Sequence, residues 1–183
     1  MDIMSLIKAA TAIPKELKEK EKANKKVSEK SKSISGSSNR TINNNINITI
    51  YTIVDENIIT NIKNVCKKDV SIVTEAARYL LLDLENNHGV IRLRSLYVIN
   101  ILFIRSNTFR TIVSKDIKHI AKCAGLLRID GNYKLALTYQ NEVESKVKEL
   151  IELWDISYGG YYPQIRAMAR YHHHHYYYYY YYY

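Results

Sequence analysis

Two cysteines, one tryptophan and six glycines are few for a chain of 183 residues, and each scarcity excludes a class of chemistry. Cys66 and Cys123 stand far apart without paired-ligand spacing, and each falls on the apolar face of a predicted helix, where free thiols sit buried in a reducing compartment. A zinc centre needs four convergent ligands, whereas the part predicted to fold offers only these two thiols, His88 and His119, at unrelated spacings. Glycines this scattered cannot form a phosphate-cradling loop. No apolar run reaches the ~20 residues of a membrane span, and aromatic residues are not interleaved with basic ones as in single-strand readers. Met1 to Ile7 lacks a basic leader and a long apolar stretch, and the glutamates that follow argue against a transit peptide. An intracellular protein, cytosolic or nuclear, with no cofactor, metal or membrane partner, is the expectation.

What the chain does have is concentrated between Ile91 and Arg110. From Leu96 to Ile104 nearly every residue is apolar, which requires a helix wrapped by neighbours on several sides. Ser106 and Asn107 are both good N-caps, placed just before a new periodic segment, and so predict a helix, a break and a second helix.

Net charge is +9, with ten Lys/Arg against five Asp/Glu over residues 1–50 and seventeen against thirteen over 51–171. Such a balance suits nonspecific steering toward polyanions. Lys15 to Lys32 mixes Lys and Glu with too few apolar residues to bury a face, and Ser31 to Asn47 is a Ser/Asn-rich linker. Residues 1–50 therefore read as a disordered basic arm, 51–171 as the folded domain, and 172–183 as a His/Tyr homopolymer tail. Four His and eight Tyr in succession resemble simple-repeat expansion, and the tyrosine run favours self-association.

Within the domain, Ile46 to Val54 alternates like a short strand but has no later partner. Asp55-Glu56-Asn57 caps a helix marked by Ile58, Ile59, Ile62, Val65 and Cys66; Asp69 opens another, striped by Val70, Val73, Ala77, Leu80, Leu81 and Leu84. The central helix runs from Val90 to Arg105. Its successor carries Phe109, Ile112, Val113, Ile117, Ile120, Ala121 and Ala124 as one amphipathic series, ending at Gly125 in a left-handed conformation. Leu126 to Thr138 is a loop with a turn at Asp130-Gly131-Asn132. A last strong helix buries Val143, Val147, Leu150, Ile151 and Trp154, Gly159-Gly160 breaks it, and Pro163 starts a further turn or helix.

Two candidate sites follow. His119 and Cys123, four residues apart, meet on one helix, but a thiol at a helix C-terminus gains nothing from the macrodipole, which disfavours a nucleophile there. Arg94, Arg105, Arg110, Lys115, Lys118 and Lys122, on consecutive helices, can form a basic ridge for phosphates, DNA included, or acidic partners. The alternative for these six is ordinary solvated charge. Phe103 and Phe109 are expected in the core.

The run Leu102-Phe103-x-Arg105-Ser106-x-x-Phe109-Arg110, preceded by Ile91-Arg92-Leu93, resembles the VHS-type domain at the head of the UV-stimulated scaffold protein A family. Asn64-Val65-Cys66-Lys67, His88, Trp154-x-x-x-Tyr158-Gly159 and Tyr162 bracket it in matching order, and the likeness covers about residues 51–171. This resemblance implies an all-α, right-handed superhelical domain of the ENTH/VHS kind and a non-enzymatic scaffold in transcription-coupled nucleotide excision repair. The partners it implies are the stalled RNA polymerase II elongation complex, Cockayne-syndrome ubiquitin-ligase components, a ubiquitin-specific protease, and ubiquitin or ubiquitinated proteins. A nuclear, chromosomal location goes with them. In family members a long acidic region that recruits TFIIH follows this domain; here the sequence reads polytyrosine. The alternative within the same fold class is a trafficking adaptor binding ubiquitinated cargo or phosphoinositide head groups.

Overall fold

The computed structural model of this chain describes residues 2–32, 53–127 and 139–171, with side chains described in all of these except 27–32. The described residues are helical, without a strand, in nine segments: α1 Ile3–Thr11, α2 Lys15–Lys32, α3 Glu56–Cys66, α4 Val70–Asp83, α5 Gly89–Arg105, α6 Asn107–Lys115, α7 Ile117–Cys123, α8 Gln140–Tyr158 and α9 over 163–171. The all-α expectation holds, and a VHS-like helical domain fits it. The strand considered over Ile46 to Val54 falls mostly outside the described residues, as do the turn at Asp130-Gly131-Asn132 and the His/Tyr tail.

Helix α5 is the hub. It packs against α1, α4, α6 and α8, and eleven of its residues are buried, from Gly89 through Phe103. Neighbours on four sides leave it almost no solvent face, which is why a run with so few polar residues, Arg92, Arg94, Ser95 and Asn100 before the closing Arg105, forms a helix here. Ile104, at the rim, is 48% exposed.

The start of the chain differs most from expectation. Asp2 caps α1 by accepting a hydrogen bond from Ser5 N at 2.8 Å, and Ile3, Leu6, Ile7 and Ala10 face inward at three- and four-residue spacing. This face packs on α3, α4 and α5, so residues 2–11 belong to the core rather than to a disordered arm. Helix α2 is mostly solvated, in keeping with its Lys/Glu composition, yet its Leu17 is fully buried. One turn further on, Glu21 accepts from the Tyr139 hydroxyl at 3.0 Å and pairs with His88 Nε2 at 3.2 Å. His88 Nδ1 accepts from Val90 N and so caps α5, an arrangement that leaves Nε2 to carry the proton toward Glu21.

The predicted caps are present at Asp55, which accepts from Asn57 N, and Asp69, which accepts from Ser71 N. The bond from Ser71 holds the Asp69 carboxyl below its ordinary value. Val70, assigned to the apolar stripe, is 62% exposed, and Ala76 takes the buried place instead. The single helix expected after the break is two, α6 and α7, divided at Asp116. The apolar phase carries through the division, but Asp116 N bonds Val113 O in a tightened turn and the Ser114 hydroxyl donates to Thr111 O. A serine hydroxyl that bonds a nearby backbone carbonyl competes with the helical ladder in this way.

Helix α7 closes as predicted. Gly125 has φ of 78°, with Leu126 N bonded to Ala121 O and Gly125 N to Lys122 O, both at 2.9 Å. A Cβ on Gly125 meets Gln140 Nε2 at 3.0 Å, and that nitrogen is engaged with Ala124 O at 2.7 Å. Gly125→Ala is therefore expected to cost about 1 kcal/mol or more of unfolding free energy, read by urea denaturation, because positive φ and a bonded neighbour both oppose the methyl group.

Candidate docking surface

The motif residues converge on the break between α5 and α6. Ser106 ends one helix and caps the next, its hydroxyl accepting from Phe109 N at 3.2 Å. Phe103 and Phe109 are fully buried, as expected. Phe103 stacks on Trp154 with ring centroids 4.1 Å apart and meets the edge of Tyr158 at 5.6 Å, while Trp154 Nε1 donates to Asn100 Oδ1 at 3.0 Å. Arg110 turns back on α5 and donates from Nη1 to the carbonyls of Phe103 and Ile104, with its guanidinium 4.7 Å over Tyr158. The Tyr162 hydroxyl donates to Asn107 Oδ1 at 2.7 Å. Most of the motif is therefore a clamp: it fixes two helix ends and seats them on α8.

The six cations of the predicted ridge separate on this frame. Arg94 is only 8% exposed, and its Nε donates to the carbonyl of Ala10 at 2.6 Å, so it ties the end of α1 to α5 and is not on the surface. Arg110 is half-buried and engaged with the carbonyls of α5. Arg105, Lys115, Lys118 and Lys122 are exposed. Arg92, which no ridge included, is fully buried and joins α5 to the start of α8 through Gln140 Oε1 at 2.7 Å. Burial pushes both Arg92 and Arg94 below the ordinary arginine value.

Arg105 faces a cleft of about 320 Å³. Lys63, Cys66 and Lys67 line it from the end of α3, Val73 from α4, Leu102 and Arg105 from α5, and Ser106, Asn107 and Phe109 from the start of α6. No carboxylate is among these residues. Sequence reasoning overlooked Lys63 and Lys67 here, since their i, i+4 spacing marks a solvated helix face and only the fold brings that face opposite Arg105. Burial pushes the Cys66 thiol up to about 11. At neutral pH it is a protonated, sluggish thiol, and its alkylation rate is expected to rise roughly tenfold per pH unit up to that value, measured by mass spectrometry across a pH series.

The His119 and Cys123 pair meets, with Cys123 Sγ 3.5 Å from His119 Nε2. Glu85 Oε1 lies 3.4 Å from the same nitrogen. A nucleophile and an orienting acid must use different ring nitrogens for the imidazole to relay a proton, so this geometry lacks the triad arrangement. Burial, followed by the nearby Glu85, pushes the Cys123 thiol up rather than activating it.

A 113-residue stretch is 26% identical to a UV-stimulated scaffold protein A homolog of Arabidopsis thaliana, covering 62% of this chain. The chain spans about 17% of the length of that relative. A family model described as UVSSA N-terminal domain matches residues 39–175, a stretch that starts after α1 and α2 and takes in the whole α5–α6 motif. With most of its length inside that match, the protein belongs to the UVSSA N-terminal domain family.

Proposed function

We propose that this chain is a non-enzymatic scaffold module of transcription-coupled nucleotide excision repair, docking in the nucleus to assemblies around stalled RNA polymerase II. The family membership carries the repair role, and the name of the Arabidopsis relative, a UV-stimulated scaffold protein A homolog, points the same way. Physically, a scaffold needs a rigid exterior, and the clamp of Phe103, Trp154, Tyr158 and Arg110 supplies one by locking α6 and α8 onto the hub. Cockayne-syndrome ubiquitin-ligase components and ubiquitinated proteins are the further partners of this reading.

The test is recruitment of the endogenous protein. After UV irradiation, immunoprecipitation of elongating polymerase from chromatin is expected to enrich this protein severalfold over unirradiated cells. A protein that stays off chromatin and is not enriched after irradiation overturns the reading.

A further inference from the structure

We propose that the cleft at the α5–α6 break receives an acidic peptide segment of a partner protein, with one bulky apolar side chain of that segment seated on the cleft floor. The inference deepens the docking role and rests on it for biological setting, but its chemistry stands on the cleft itself. Lys63, Lys67 and Arg105 make no salt bridge to any described residue, in contrast to Arg94 and Arg110, which are engaged with backbone carbonyls. Three cations on one opening without a carboxylate in its lining set up complementarity to negative charge. The first turn of α6 opens onto the same cleft through Ser106 and Asn107, and a helix N-terminus favours an anion there.

The floor decides between kinds of polyanion. Val73, Leu102 and Phe109 are buried apolar residues lining the cleft. Phosphate backbones gain nothing from such a surface, whereas a peptide can bury a Phe or Leu against it and place its carboxylates at the rim. A volume of about 320 Å³ lies at the low end of ligand clefts and admits one or two side chains rather than a folded domain.

The experiment uses the purified full-length chain and a short fluorescent peptide of Asp and Glu residues around one central Phe, read by anisotropy. K63E/K67E and R105E are each expected to weaken binding about tenfold or more, and replacing the peptide's Phe by Ala to weaken it similarly. K118E/K122E, on α7, is expected to bind within about twofold of the unaltered chain. K67E alone, at an exposed position, keeps the test valid if the double variant folds poorly. A second readout is protection of Cys66 from alkylation in the complex. Three results overturn the proposal: unchanged affinity in K67E and R105E, equal affinity for the Ala peptide, or an oligonucleotide that displaces the peptide and depends more strongly on the same cations. Peptide binding without recruitment to chromatin refutes the repair role alone, and recruitment without peptide binding refutes this inference alone.

Discussion

Removing α1 is expected to abolish cooperative folding. Ile3, Leu6 and Ile7 are each at most 4% exposed, and Ala10 is fully buried. At about 1.5–3 kcal/mol for each buried Ile or Leu, the three large side chains supply roughly 5–9 kcal/mol, comparable to the ~5–15 kcal/mol by which a whole domain is stable. The loss does not end there. Arg94 gives up the Ala10 carbonyl and faces the vacated surface, while the faces of α3, α4 and α5 beneath α1 become wet. A chain lacking residues 2–13, and the point variant Ile7→Asp, are both expected to show no sharp thermal transition by circular dichroism. If residues 39–175 alone unfold as sharply and at the same temperature as the full chain, α1 is not part of the core.

The second large effect is at Trp154. Its ring is fully buried, stacked on Phe103 and bonded to Asn100, so Trp154→Ala opens a cavity and strips an acceptor of its donor. Loss of such a ring costs about 3–5 kcal/mol, which in a domain of this size lowers the melting temperature by about 6–20 °C. Trp154→Phe keeps most of the stack and removes the hydrogen bond, and is expected to cost about 1–2 kcal/mol. Equal losses in the two variants contradict this account of the clamp, since they assign the whole contribution to the indole N–H.

These effects lie partly where the sequence is easy to read and partly where it is not. The break at Ser106, the caps at Asp55 and Asp69, the left-handed Gly125 and the inward stripe of α8 are local signals, each needing only a few neighbouring residues. Helix α1 carried the same kind of signal, Asp2 before an Ile3, Leu6, Ile7, Ala10 spacing, but nine residues beside a Lys/Glu-rich tract make too short a periodic segment to outweigh its composition. The division at Asp116 has no Pro or Gly to announce it.

The candidate site was less legible than the fold. Arg94 counts as surface by charge, yet helix phase places it under α1, and only a tertiary partner reveals that. Lys63 and Lys67 meet Arg105 across some forty residues of sequence, a distance that no local pattern bridges. Conversely, Phe103, Ser106, Phe109 and Arg110, the most recognisable run in the chain, hold helices together, and Arg105 within it is the charged residue that lines the cleft.

Lysine-reactivity footprinting tests most directly the claim that this scaffold docks through the cleft beside that run. Amine labelling of the full-length protein, free and in polymerase complexes isolated from UV-irradiated cells, is expected to show Lys63 and Lys67 protected in the complex while Lys118 and Lys122 react as before. Lys63 and Lys67 reacting equally in both states, with protection moved to Lys118 and Lys122, contradicts it.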